Sequence, residues 1–275
     1  MSDMSFVLLF ELALLGIGSG FLAGLLGIGG GMVMVPVLTF LLSGLGTAPE
    51  LAVKMAIATS MSAILFTSMS SVIAHHKRGA VRWSIVMHLA PGIVVGSLVS
   101  SLGAFALLKG SWLALFFSVF VIFSATQMFS DKKTASTRAM PGMVGKFSAG
   151  SAIGFLSGLV GAGGGFLSVP FMTWCNVAIH NAVATSAALG FPIALANVTG
   201  YLLSGQGIAE RPESAVGYVW LPGLVVVAAF SVLTAPFGAR AAHALPVKKL
   251  KRIFACILFL VAAYMFYTGY RGLQA

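Results

Sequence analysis

Residues 20–38 read GFLAGLLGIGGGMVMVPVL, and residues 154–172 read GFLSGLVGAGGGFLSVPFM. Aligned without a gap, 11 of the 19 positions are identical. In each copy an apolar run enters a glycine cluster, and a second apolar run leaves it and meets a proline. Gly27, Gly29, Gly30 and Gly31 match Gly161, Gly163, Gly164 and Gly165, and Pro36 matches Pro170. Glycine costs about 1 kcal/mol relative to alanine in a helix interior. Three in a row inside an apolar segment therefore read as a built break in a helix.

The surroundings say where that break sits. The chain has 275 residues, 59% hydrophobic and 8% charged, with a mean hydropathy of +1.01. Soluble domains carry about 25% charged residues, and a bilayer is crossed by about 20 apolar residues. The expectation is an all-α polytopic membrane protein. The first residues, MSDMSFVLLFELALLG, lack a basic n-region and read as part of the mature chain, not as a cleaved signal. The net charge of +10 comes from short basic clusters between apolar runs, so no nucleic-acid partner is expected. Cys175 and Cys256 read as small packing residues and imply no disulfide framework.

Outward from the two glycine clusters the chain divides into ten apolar segments, at about 6–27, 32–43, 50–74, 83–107, 111–130, 147–161, 166–177, 180–204, 217–240 and 250–270. The order of the first five repeats in the second five. AIATS at 56–60 matches AVATS at 182–186, and Pro91-Gly92 is paired with Pro222-Gly223. Such duplication governs the fold. It divides the chain into a membrane repeat over 1–130, a linker over 131–146 and a second repeat over 147–275. Trp83, Trp112, Trp174 and Trp220 fall at segment ends, where interfacial anchors belong.

Positive charge gives the topology. Lys77, Arg78 and Arg82, then Lys132, Lys133, Arg138 and Lys146, then Lys248, Lys249, Lys251 and Arg252 mark three cytoplasmic loops. If segments six and seven were one span, three crossings would separate two inside loops, a contradiction. It vanishes if the glycine cluster folds the segment back. Each repeat is then a glycine-broken helix pair, re-entrant or made of two short crossings, plus three spanning helices. The odd number of crossings inverts one repeat relative to the other and puts both termini outside the cytoplasm.

A helix broken inside the bilayer leaves N–H groups without partners at its new start, and that end of the dipole favours an anion. The candidate site is therefore Gly29, Gly30 and Gly31 with Gly163, Gly164 and Gly165, completed by Thr59, Ser60, Thr185, Ser186 and Asn197. Thr67, Ser62, Ser68 and Thr199 offer further hydroxyls, which can equally bond back to their own helices. Gly20, Gly24, Gly154 and Gly158 read as helix-packing glycines. Neither cluster is followed by Lys-Ser or Lys-Thr, so neither is a phosphate-binding P-loop. No carboxylate lies at mid-span, so a carrier built on a buried acid is not supported. Glu50 and Lys54 are spaced to pair on one helix face. His75 and His76 are expected at headgroups, and His88 near the interface. No metal or cofactor is expected.

The paired motif resembles the TauE/SafE family of sulfite exporters and related sulfur-compound transporters. The match rests on the two quoted stretches, with AIATS, AVATS and PVKKLKRIF (residues 246–254) in support. The resemblance implies a plasma-membrane transporter with inverted repeats whose substrate is a small sulfur-containing anion such as sulfite, thiosulfate or an organosulfonate. Its partners would be that anion and the lipid bilayer; a homodimer is compatible with the plan. An anion channel with the same site is the alternative, followed by an intramembrane serine protease, which would need a serine–histidine pair at depth.

Overall fold

A computed structural model describes residues 5–27, 29–130, 138–208, 211–244 and 247–274. Much of the expected linker, with Lys132 and Lys133, lies outside the described residues, as do the side chains of the basic run at 247–252. The helices are α1 (Phe6–Leu26), α2 (Gly31–Gly44), α3 (Pro49–His76), α4 (Trp83–Leu107), α5 (Gly110–Ser130), α6 (Met143–Val160), α7 (Gly165–Trp174), α8 (Ile179–Ser204), α9 (Leu221–Ala244) and α10 (Val247–Gln274). All ten expected segments are present as helices. Eight are long and apolar enough to cross a membrane. The exceptions are α2 and α7, with 14 and 10 residues; at 1.5 Å per residue they are about 21 and 15 Å long.

The glycine clusters break the helices as expected, and in the same way. Gly27 and Gly161 end α1 and α6 at φ of 68° and 70°; Gly30 and Gly164 start α2 and α7 at 76° and 74°. These left-handed values suit glycine and strain other residues. Pro36 and Pro170 each stand at the sixth position of the short helix. A proline there has no N–H for the carbonyl four residues back, which leaves Met32 and Phe166 with an extra free acceptor.

At the centre α3 packs on α8, and their middles are fully buried: Met55–Ile64 in one, Ala184–Ser186 with Ile193 and Ala194 in the other. α1 packs on α9, α4 on α6, and α5 on α10. Glycines let two of these pairs touch backbone to backbone. A Cβ on Gly16 would lie 2.9 Å from Val227 O, on Gly20 2.4 Å from Ser231 O, and on Gly24 2.0 Å from Ala235 O. The steps match, so α1 and α9 run in the same direction. Gly150 and Gly154 do the same against Leu89 O and Ile93 O, and Gly158 faces the Ser100 side chain, so α6 runs with α4. Phe6, Met87, Leu107 and Leu260 face away from the protein, as lipid-facing side chains do.

Three details depart from the sequence reading. Residues 215–220 form a two-stranded hairpin, β1 (Ala215–Val216) and β2 (Val219–Trp220), so α9 starts at Leu221 and not near 217. Gly217, at φ of 57°, permits the tight turn. Trp220 is buried beside Gly223 in this hairpin, while Trp83, Trp112 and Trp174 stay about half exposed. Finally, Pro222 occupies the first turn of α9, where proline is tolerated, whereas Pro91 lies inside α4. Pro91-Gly92 and Pro222-Gly223 are therefore not equivalent.

Candidate functional site

The two glycine turns meet. A Cβ on Gly29 would stand 3.0 Å from the Cα of Gly163, and one on Gly31 would stand 2.3 Å from Gly161 O. Only a bare backbone allows this approach. The first hydrogen bonds of the short helices run from Val33 and Met34 to Gly30 O, and from Leu167 and Ser168 to Gly164 O. The N–H groups of Gly31, Met32, Gly165 and Phe166 lie ahead of those bonds. Two helix N-termini thus open at the contact of the turns.

Side chains from α3 and α8 hold this arrangement by exchange. Ser60 Oγ donates to Gly161 O at 3.0 Å, and Ser186 Oγ donates to Gly27 O at 2.9 Å. Each serine therefore caps the last turn of the other half's broken helix. Thr59 Oγ1 accepts from Trp220 N at 2.9 Å, and Thr185 Oγ1 accepts from Arg82 N at 3.0 Å. These bonds fix the starts of α9 and α4. One further pair follows the same spacing. His75 Nε2 contacts Gly24 O at 3.1 Å, and Tyr201 Oη donates to Gly158 O. A carbonyl only accepts, so His75 carries its proton on Nε2. His75 is fully buried, which corrects its expected place at headgroups: the end of α3 is covered by α1 and α9.

A narrow cavity lies beside the contact. Its walls are Gly27, Gly29 and Gly163, with Ser68 and Ser71 of α3, Ser186, Ala187 and Gly190 of α8, and Ala23 of α1. The free space between the walls is about that of one water molecule. Ser186 is committed to Gly27 O, and Ser68 donates to Leu65 O at 3.1 Å. Ser71 Oγ is buried with no hydrogen-bond partner. A buried hydroxyl left so costs about 1–3 kcal/mol, and here it faces the cavity.

Of the expected site residues, Gly29, Gly163 and Ser186 line this cavity. Gly31 and Ser60 sit on the far side of the contact, against Gly161. Gly30 packs on Ser19 and Gly164 on Ile193, and Gly165 opens α7. Thr59 and Thr185 are taken up at helix starts. Asn197 is buried, as expected, but stands elsewhere, beside Gly158 and Ser100. Sequence reading missed Ser71. Its signal was spacing: it precedes Asn197 by 126 residues, the separation of Thr59 from Thr185.

Two further expectations change. Glu50 is held by Ser111, whose N–H donates to it at 3.0 Å, and Lys54 Nζ donates to Ala106 O at 3.1 Å while lying over the rings of Phe105 and Tyr218. The two charges still act on each other across the helix turn, but each spends its direct hydrogen bonds elsewhere, because the start of α3, the end of α4 and the hairpin converge there. His88 is exposed and its Nδ1 lies 2.5 Å from Ser84 O, so it faces out of the bundle and away from any buried serine.

The family model for the sulfite exporter TauE/SafE matches residues 12–265. The chain belongs to the TauE/SafE family. A "Probable membrane transporter protein" of Haemophilus influenzae is 36% identical over 254 residues, covering 92% of this chain and 96% of its own. Proteins of the same description from Bacillus subtilis and Methanocaldococcus jannaschii are 29% and 26% identical, over 97% and 96% of this chain and 99% and 97% of theirs. No solved structure matches the chain. This TauE/SafE member is thus a multi-pass membrane protein of a transporter family. The paired glycine motif lies wholly inside the matched region.

Proposed function

We propose that this protein is a secondary transporter of a small sulfur-containing anion of the sulfite, thiosulfate or organosulfonate class, bound where the two glycine turns meet. The observation that carries the reading is the cavity walled by Gly27, Gly29, Gly163, Ser68, Ser71 and Ser186. Two helix N-termini open at the contact of its turns, and one of its hydroxyls has no partner. Backbone N–H groups and hydroxyls bind the oxygens of an anion without a permanent cation. Ser60, Thr59 and Thr185 hold the frame, as do Gly30, Gly31, Gly164 and Gly165.

The chain is read as two inverted repeats, 1–130 and 147–275, joined by a cytoplasmic linker over 131–146. It lies in the bacterial inner membrane with both termini outside the cytoplasm. Helix directions support this. α1 runs with α9, α9 runs with α3 (Thr59–Trp220, Thr67–Ser231, Arg78–Ala239), and α8 runs with α4 (Thr185–Arg82, Gly200–Ser101). Since α3 and α4 are joined by a short turn, α3 opposes α8. Movement is rocking of one repeat against the other around the glycine contact. The narrowness of the cavity favours such a carrier over an open pore, since an oxyanion enters only when the walls part.

The test is counterflow in proteoliposomes with sulfite, thiosulfate, sulfate, sulfoacetate and taurine. Accumulation of labelled anion driven by unlabelled anion inside is expected for at least one of the first four. Ala187→Leu, which fills the cavity, abolishes it while the protein still elutes as a single folded species. Leakage without counterflow, or full counterflow in Ala187→Leu, overturns the reading.

A further inference from the structure

Away from the cavity, a second group of polar side chains is buried where α4, α6 and α8 meet. Ser97, Ser100, Ser157 and Asn197 are each 0% exposed, and Ser97 Oγ, Ser100 Oγ, Ser157 Oγ and Asn197 Oδ1 all lack a hydrogen-bond partner. Two of them point at one place. A Cβ on Gly158 would lie 2.2 Å from Asn197 Oδ1 and 2.5 Å from Ser100 Oγ. The others flank it on neighbouring turns, with Ser97 Oγ 2.8 Å from a Cβ on Gly154 and Ser157 Oγ 3.0 Å from one on Gly164. Glycines on α6 leave the room.

Three features separate this group from ordinary packing. First, membrane serines usually bond back to a carbonyl of their own helix, as Ser19, Ser62, Ser101 and Ser124 do here. Ser97, Ser100 and Ser157 do not. Secondly, the symmetry-related contact of α1, α3 and α9 packs with fewer hydroxyls, Ser71 standing there for Asn197. By the spacings that relate Gly20 to Gly154 and Arg82 to Trp220, Ser157, Ser97 and Ser100 correspond to Ala23, Ala235 and Gly238. Thirdly, α4 becomes a π-helix over Ser100–Ala104, a loosening that is frequent at functional sites.

The chemistry of the group selects its ligand. Asn197 Nδ2 donates to Ile193 O at 2.9 Å. That carbonyl only accepts, so the orientation of the amide is fixed and Oδ1 is left as an acceptor. Serine hydroxyls can turn their lone pairs toward the same point. Tyr201 Oη, one turn along α8, spends its proton on Gly158 O. The group therefore offers hard, neutral oxygens, which suit a small hard cation. It contains no carboxylate, and the ammonium of Lys54 lies beyond the ring of Phe105, which packs on Tyr201. Both features disfavour a divalent ion.

We propose that Ser97, Ser100, Ser157 and Asn197 form a binding site for a small monovalent cation of the sodium type, distinct from the anion cavity. Hydroxyl and amide oxygens from three helices make up its shell. The site stands whether or not the anion reading of the cavity holds, because cation binding can be measured with no anion substrate present.

The experiment uses the purified full chain in detergent, at constant ionic strength made up with choline chloride. Sodium chloride is expected to raise the midpoint of thermal unfolding by several degrees, saturably in the millimolar range; lithium chloride acts more weakly and potassium chloride least. Radioactive sodium should bind at one ion per chain. Ser100→Ala/Ser157→Ala, which puts small residues where the symmetry-related contact has Gly238 and Ala23, is expected to fold with an unfolding midpoint in choline no lower than wild type and to lose both the sodium shift and the bound sodium. Asn197→Ala is expected to lose them too, and its circular dichroism in choline shows that it folds. Equal midpoints of the wild type in all four chlorides would overturn the proposal and leave the group to ordered water. A full sodium shift retained in Ser100→Ala/Ser157→Ala would overturn it as well.

Discussion

Ser60 and Ser186 show how two residues of the same type in matching positions take different parts. Each donates to the carbonyl that ends the other half's broken helix, in the buried core. Removing such a donor inside the bilayer costs about 1–3 kcal/mol. Only Ser186 also lines the cavity. Ser60→Ala is therefore expected to lower the unfolding midpoint while anion counterflow persists, and Ser186→Ala to lower the midpoint by a similar amount and reduce counterflow at least tenfold. Equal transport in the two variants would remove Ser186 from the site. The pairing of these serines was legible, because AIATS and AVATS repeat. Their partners were not, because the bonds run between halves, and a repeat in sequence does not tell whether its copies touch themselves or each other. His75 failed for a similar reason: next to His76, Lys77 and Arg78 it looks like a loop residue, and only the packing of α1 against the end of α3 makes it a buried donor.

At the scale of elements, glycine does two separable jobs along α1. Gly20 and Gly24 face α9, where a Cβ would meet backbone at 2.4 and 2.0 Å; Gly18 has nothing within 4 Å. Gly18→Ala is expected to stabilise the protein by up to about 1 kcal/mol through helix propensity alone. Gly24→Val should prevent α1 from docking and lose the folded protein, since backbone cannot yield as a side-chain tip does. Thermal unfolding in detergent compares them, and a Gly24→Val protein as stable as wild type would show that α1 and α9 are not in contact. Helix ends were read within four residues at every segment, because apolar runs and glycine clusters mark them directly. The hairpin before α9 was not. Its residues AVGYVW are still apolar and run straight into the span that follows, and hydropathy does not register the turn at Gly217. The false match of Pro91 with Pro222 has the same origin: the connections between helices differ in length in the two halves, so the separation of equivalent residues shifts from one helix to the next.

The whole molecule turns on which connections share a side. Asn181 Nδ2 donates to Ala80 O at 2.7 Å, and Arg82 N to Thr185 Oγ1, so the turn between α7 and α8 lies beside the basic turn between α3 and α4. Glu50, Ser111 and Gly272 cluster at the other end, with Lys54 and Tyr218 next to them. That end gathers the starts of α3 and α5, the hairpin before α9 and the end of α10. Charge counting demanded this arrangement: the polypeptide had to turn back after α6 for the basic clusters to share one side. The glycine motif said only that a break existed. The charges said which way the chain left it, and neither fixed how deep the turn lies. With α1 running alongside α9 and α3, Phe6 stands at the same end as Pro49 and Gly272, so both termini belong on the face opposite Lys77 and Arg78. Alkaline phosphatase fused after residue 5 or after residue 274 should be active, and fused within 77–82 it should be inactive. A green fluorescent protein fused at the same places should give the reverse. Activity of opposite kinds at the two termini would mean an odd number of crossings between them, which two repeats of odd crossing number cannot give.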